Sequence, residues 1–270
     1  MPELFKAITA KGYNLPTPIQ RRAIPIVLQG YNVIAMARTG SGKTGAFCIP
    51  IVQRLKSHST TVGARCVILS PTREIAIQTA TYFRAMAKNT DLTSCLITGG
   101  KEMENQFERL LLNPDVIIAT PGRFMHCLMQ TGVMLSKVEM VVYDECDRLF
   151  EMGFAEQLKS ITACMPASRQ SLLFSATISE DVRNFTLAGI KDYRLVQVDK
   201  DSKLSEQLKI HFFVCRTVEK EAVLMYILRE RVQAGEQTIV FGATKYHVEY
   251  MHELCSKAGL KSTFIYGAMD

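Results

Sequence analysis

The chain has 270 residues, of which 47% are hydrophobic and 21% charged, enough apolar material for one or two globular domains. That balance excludes a disordered chain, and no apolar run is long enough to span a bilayer, so no membrane partner is expected. The net charge of +6 is scattered without a polybasic run, which is compatible with a polyanionic partner but does not demand one.

The start, MPELFKAITAKGY, lacks the charged-then-apolar pattern of a signal peptide. Eight cysteines lie mostly in apolar segments and none forms a Cys-x-x-Cys pair. Reduced core thiols are expected, rather than disulfides or a zinc site.

From about residue 30, short apolar runs alternate with amphipathic stretches. YNVIAMA reads as a strand and GAFCIPIVQRL as a helix; ARCVILS is again a strand and REIAIQTATYFRAMAK a helix. TSCLITGG, PDVIIATP, VEMVVYDE and QSLLFSAT are four further strand candidates. Unbroken apolar runs fit strands covered on both faces, and strand–helix alternation predicts an α/β fold with a parallel sheet over 1–196. The polar stretch at 197–207 reads as a linker. A second α/β block restarts at 208–270, with strands in LKIHFFVC, QTIVFGAT and STFIYGAMD and helices in VEKEAVLMYILRERVQ and KYHVEYMHELCSKAG.

Two features carry chemistry. ARTGSGKT, Ala37 to Thr44, follows the strand NVIAM and opens a helix, the context of a phosphate-binding loop. Its glycines let backbone N–H groups turn inward, and the helix N-terminus favours anions. Lys43 is placed to reach the β- and γ-phosphates, with Thr44 as a Mg²⁺ ligand. The second feature is the acidic strand end VVYDECD. Asp144 suits Mg²⁺, mostly through water, and Glu145 suits a base for the attacking water. Asp147 taken alone reads equally well as an N-terminal acid of the following helix. The lysine-tipped bend and the acidic pair are expected to meet at adjacent strand tips. Upstream, GYNLPTPIQ ends in Gln20, whose amide suits adenine.

Taken in order, these stretches resemble the DEAD-box RNA helicase family. GYNLPTPIQ, with Tyr13 and Gln20, resembles its adenine-reading motif, and Arg38, Thr39, Gly40, Ser41, Gly42, Lys43 and Thr44 its motif I. Pro71, Thr72 and Arg73 resemble motif Ia; Gly99 and Gly100 resemble the GG element, and Thr120, Pro121, Gly122 and Arg123 motif Ib. Asp144-Glu145-Cys146-Asp147 resembles motif II, Ser175 to Thr177 motif III and VFGATK motif IV.

The resemblance implies a RecA-like P-loop domain followed by the first elements of a second, with ATP and Mg²⁺ as cofactors. Lys43, Asp144, Glu145, Ser175 and Thr177 are then catalytic, and Asp144 and Thr44 hold the metal. Pro71, Thr72, Arg73, Gly99, Gly100, Thr120, Pro121, Gly122 and Arg123 are implied to grip RNA through its backbone, independent of base sequence. DECDRLFEMGFAEQL and SEQLKIHFFVC resemble the nucleolar branch that assists large ribosomal subunit assembly, implying nuclear, nucleolar residence and pre-ribosomal particles as partners. Cys146 stands at the family's alanine, and its small size predicts little loss. Phe5 lies closer to Gln20 than the family's adenine-stacking aromatic does, so that role is not transferred. The chain ends at Asp270 without motifs V and VI, so a fragment of a longer helicase is expected; the alternative is an ATP- and RNA-binding module without efficient turnover.

Overall fold

The computed structural model describes residues 1–100, 103–198, 208–233 and 235–267. The chain folds as two compact units, Met1–Lys203 and Leu204–Asp270.

In the first unit, α1 (Pro2–Ala10) and α2 (Pro18–Leu28) precede β1 (Asn32–Met36) and α3 (Lys43–Leu55). Then follow β2 (Cys66–Leu69), α4 (Arg73–Ala87), β3 (Ser94–Ile97), α5 (Met103–Leu111), β4 (Val116–Ala119) and α6 (Pro121–Thr131). β5 (Met140–Tyr143), α7 (Cys146–Glu151), α8 (Ala155–Ala163), β6 (Gln170–Ser175), α9 (Glu180–Gly189) and β7 (Tyr193–Gln197) complete it. The seven strands form one sheet in the order β3-β4-β2-β5-β6-β1-β7, and every neighbouring pair is parallel.

The unbroken apolar runs have the cause expected of them. All residues of β2, β4, β5 and β6 are buried, because helices cover both faces. Side chains alternate between the two cores. Cys66 and Ile68 join the core under α2, α3 and α4, while Val67 and Leu69 join the one under α6, α7 and α8. Pairing is in register across the centre, with Ile68 opposite both Ile118 and Val142.

Two expectations for the sheet need correction. β1 and β5, which carry the glycine bend and the acidic pair, are not neighbours: β6 lies between them, so the tip carrying Ser175 is interposed. β7 gave no strand signal, because an edge strand with three exposed residues has neither an unbroken apolar run nor two covered faces.

In the second unit, a 3₁₀ turn at Thr217–Glu219 leads into α10 (Lys220–Tyr226), a π-turn at Ile227–Arg231 ends that helix, and α11 (Lys245–Lys257) follows. Both predicted helices are present, but none of the three predicted strands is, among the described residues. Phe212, Val214, Phe241 and Ile265 stay exposed in segments without secondary structure. Apolar, β-prone text becomes strand only where a neighbour supplies the ladder and a packed face. The linker predicted at 197–207 lies mostly outside the described residues; within it, Gln197 ends β7.

Candidate functional site

All seven strands run parallel, so their carboxyl ends share one edge, where a doubly wound sheet binds ligands. The tips of β1, β5 and β6 bring together the glycine bend, the acidic pair and Ser175–Thr177.

The bend leaves β1 through Ala37, whose N–H donates to the Ser175 carbonyl at 3.1 Å. It enters α3 at Gly42, which has φ +92° as the N-cap. A Cβ there would strike Gln20 and Thr17, so glycine is required both for the turn and for the close approach. Gln20 braces the bend: its Nε2 donates to the Gly42 carbonyl at 3.1 Å, while its Oε1 accepts from the Thr17 N–H at 3.0 Å. Arg38, Thr39 and Gly40 are exposed, and Ser41 and Thr44 are half-buried.

Lys43 is buried, and its ammonium donates to the bend's own Ala37 carbonyl at 2.7 Å. Burial lowers its pKa, against the opposing pull of Asp144, Glu145 and Asp147, so all three carboxylates act on this one cation. Asp144 is 3% exposed. Burial, then the neighbouring Glu145, pushes its pKa up to about 6, against the pull of Lys43 and of two hydroxyls. Those hydroxyls belong to Thr79 at 3.3 Å and Ser70 at 3.5 Å, and both donate to Oδ2.

Glu145 turns the chain from strand into helix at φ +46°, ψ +56°, a left-handed conformation unusual for a side chain of this size. Such backbone costs roughly 1–3 kcal/mol and concentrates at functional sites. Cys146 is fully buried.

Asp147 is not merely a helix-start acid. Its Oδ2 accepts from the N–H groups of Ala176 and Thr177 and from the Thr177 hydroxyl, at 3.2, 3.0 and 3.0 Å. Its own N–H donates to Ser175 Oγ at 3.1 Å, and that hydroxyl donates to the Thr177 carbonyl at 2.7 Å. Burial pushes the carboxyl up, but the bonds from Thr177, Ser175 and Arg148 outweigh it and hold the pKa below the ordinary value. The result is a staple between the β6 tip and α7.

The residues fit a magnesium triphosphate. The hydroxyls of Ser41 and Thr17 are buried at the bend with no hydrogen-bond partner among the described residues, an arrangement that suits an outside acceptor. No group of three His, Cys, Asp or Glu side chains able to hold a metal ion occurs among the described residues. A divalent ion here would take Thr44 and Asp144 from the protein, the rest of its shell coming from phosphate and water, as suits Mg²⁺.

Sequence reasoning missed three residues of this half-site: Ser70, Thr79 and Tyr82. Tyr82 stacks on Tyr13, with ring centroids 6.1 Å apart and planes at 19°. Thr79 had a legible signal, a hydroxyl on the α4 face that Ala76, Ala80 and Phe83 bury. Ser70 had none.

The tips of β2, β4 and β3 gather the other predicted residues. Thr72 caps α4, its Oγ1 accepting from the Ile75 N–H at 3.3 Å. The Arg73 guanidinium lies against Gly100, where φ is +75° and a Cβ would collide with it. Thr120 stands at the N-cap of α6, and its N–H donates to the Ile97 carbonyl at 3.0 Å. Arg123 Nη1 meets Met103 Sδ at 3.1 Å. Pro71 and Pro121 are buried, Gly99 is half-buried, and Gly100 and Gly122 are exposed.

A family model described as DEAD/DEAH box helicase matches residues 17–185. The mouse ATP-dependent RNA helicase DDX54 is 51% identical over 99% of this chain, which spans 30% of that protein. The Dictyostelium discoideum ATP-dependent RNA helicase ddx54 is 49% identical, with 99% of this chain and 27% of that protein covered. The chain thus spans less than a third of the length of these two curated relatives. Among solved structures, a DEAD box protein from Methanococcus jannaschii superposes with TM-score 0.70 at 29% identity, covering 100% of this chain and 72% of that one. A hypothetical ATP-dependent RNA helicase from Sulfolobus tokodaii gives TM-score 0.67 at 35% identity over 73% of this chain and 57% of that one. The matched span contains the glycine bend, the acidic strand end and the Asp147 staple, and on that match the chain belongs to the DEAD/DEAH box helicase family.

Proposed function

We propose that this chain supplies the ATP-binding and RNA-binding part of an ATP-dependent RNA helicase. The observation that carries the reading is the convergence of Lys43, Asp144 and Glu145 at one parallel-sheet edge, with all three carboxylates of the β5 tip acting on the lysine.

In this reading the bend's N–H groups and Lys43 bind the β- and γ-phosphates, and binding draws the ammonium off the Ala37 carbonyl. Thr44 and Asp144 would hold a magnesium ion, which would neutralise charge on the phosphates. Ser70 and Thr79 orient Asp144 by donating to its Oδ2. Glu145, set by its left-handed backbone, positions and deprotonates the attacking water. Tyr13 and Gln20 bound the adenine side. The Asp147 staple ties the β6 tip, with Ser175 and Thr177, to the strand end that carries Asp144 and Glu145, so a shift at the nucleotide is felt at β6.

The tips of β2, β3 and β4 serve RNA. Exposed backbone at Gly100 and Gly122, the capping threonines Thr72 and Thr120, and Arg73 and Arg123 suit phosphate and sugar contacts that ignore base identity. Identity of 49% and 51% to two ATP-dependent RNA helicases over nearly the whole chain supports the helicase reading, and the resemblance of the stretch from Asp144 to the nucleolar branch supports work on pre-ribosomal particles in the nucleolus.

Equilibrium binding of a fluorescent ATP analogue tests the reading. Lys43→Ala removes charge-assisted hydrogen bonds to phosphate and is expected to weaken binding about 100-fold. Unchanged affinity would end the assignment.

A further inference from the structure

A second concentration of charge lies at the opposite end of the sheet. A hollow of about 580 Å³ opens beneath the amino ends of β1, β2, β5 and β6, lined by Arg54, Arg65, Lys137 and Arg169 against a single acid, Glu139. The four cations arrive from four separate places: α3, and the loops before β2, β5 and β6. Arg65 is already matched, lying 3.5 Å from buried Asp115 and 3.3 Å from Glu139. Arg54, Arg169 and Lys137 have no carboxylate within salt-bridge distance among the described residues.

The two unmatched arginines are nevertheless fixed in place. Arg54 Nη1 donates to Gln170 Oε1 at 2.6 Å and to the Val27 carbonyl at 3.4 Å, and Arg169 Nη1 donates to the Pro166 carbonyl at 2.8 Å. Those acceptors are neutral, so they hold the guanidinium planes without cancelling their charge. Arg169 Nε is also buried with no hydrogen-bond partner among the described residues, although the Arg169 side chain also meets the neutral Tyr143 hydroxyl. Half-buried cations held still and left uncompensated are costly unless an anion completes them. Ser59, Thr61, Ser136 and Ser168 line the same hollow. Donors converging from several directions suit a tetrahedral, multiply charged anion better than a planar carboxylate, which one guanidinium fork satisfies.

We propose that this hollow is a second anion site, remote from the glycine bend, that takes one compact phosphate group, either free or at the end of a nucleotide. Its cations meet around one hollow and do not line up in a row, which suits a small anion or a terminal phosphate over a continuous strand. Occupancy would bridge α3 to the loops before β5 and β6, at the opposite ends of strands whose tips carry the predicted catalytic residues.

Calorimetric titration of the full chain tests this, with inorganic pyrophosphate as the probe and Lys43→Ala as background to silence the glycine bend. One class of pyrophosphate site is expected to remain, and adding Lys137→Gln with Arg169→Gln is expected to weaken it at least about tenfold. Because Arg169 also holds a loop, Lys137→Glu on an exposed side chain serves as the second variant; an about fivefold loss with unchanged melting temperature is expected. AMP titrated in parallel distinguishes the sources: binding at least as tight as pyrophosphate marks a nucleotide's terminal phosphate, and weaker binding marks a free anion. No pyrophosphate binding in Lys43→Ala, or equal binding with and without Lys137→Glu, would overturn the proposal.

Discussion

The tips of β1, β5 and β6 bury their charges, whereas the tips of β2, β3 and β4 leave theirs near the surface. In the first half Lys43, Asp144 and Asp147 are all under 10% exposed, and each is hydrogen-bonded to neighbouring protein groups. In the second half Arg73 is exposed, Arg123 is half-buried, and the glycines offer bare backbone. The two halves share a sheet, a polarity and the same strand-to-helix connections, so under the proposed function the difference follows ligand type. A compact polyanion is gripped by a desolvated, preorganised cluster in which each charge counts heavily. An extended backbone is gripped by a row of wet contacts of similar, modest worth.

The comparison breaks first, and most visibly, at Asp147. Asp147→Ala strands the N–H groups of Ala176 and Thr177 and the Thr177 hydroxyl, at a cost of about 3 kcal/mol in chemical unfolding at neutral pH. A cost below about 1 kcal/mol would mean that the staple is ornamental. The Asp147 carboxyl is held below its ordinary value, so the stability it contributes is present above the unfolded pKa and is lost as the pH falls through the folded one.

Asp144 has the opposite sign. Its pKa rises from 3.8 to about 6 in the fold, so folding takes up a proton between those values and stability falls as the pH rises through that window. Asp144→Asn is therefore expected to stabilise the ligand-free protein at neutral pH by about 2 kcal/mol, with the gain vanishing near pH 4. Urea unfolding at the two pH values checks this. A site built for a ligand thus holds a carboxylate that destabilises the empty fold.

The smallest effect is expected in the other half. Arg73→Ala is expected to weaken single-stranded RNA binding about fivefold and to reduce the slope of log affinity against log salt by about 0.7, uniformly across base sequences. Base-dependent losses would remove the contrast, because they would place base reading where only backbone contact is proposed.

The same contrast explains what was legible in the sequence. β2, β4, β5 and β6 announced themselves because both faces are covered, and β7 did not because it is an edge. Lys43, Asp144 and Glu145 were legible because a bend and a strand end carry their chemistry in adjacent letters. Their separation by β6 was not, since strand order is set by how crossovers pack and not by local text. Ser70 reaches Asp144 from 74 positions away, and no periodicity predicts such a contact. The second unit marks the limit from the other side: LKIHFFVC and QTIVFGAT have strand composition, but among the described residues they form no strand.

The central claim is that Lys43 and Asp144 serve one magnesium triphosphate, and a double-mutant cycle on ATP affinity at saturating Mg²⁺ tests it most directly. With Lys43→Ala, Asp144→Asn and the double variant, the two losses are expected to be non-additive by at least about 1 kcal/mol, as for groups acting on a common ligand. Losses that add to within about 0.3 kcal/mol would show that the two residues act independently and would contradict the account.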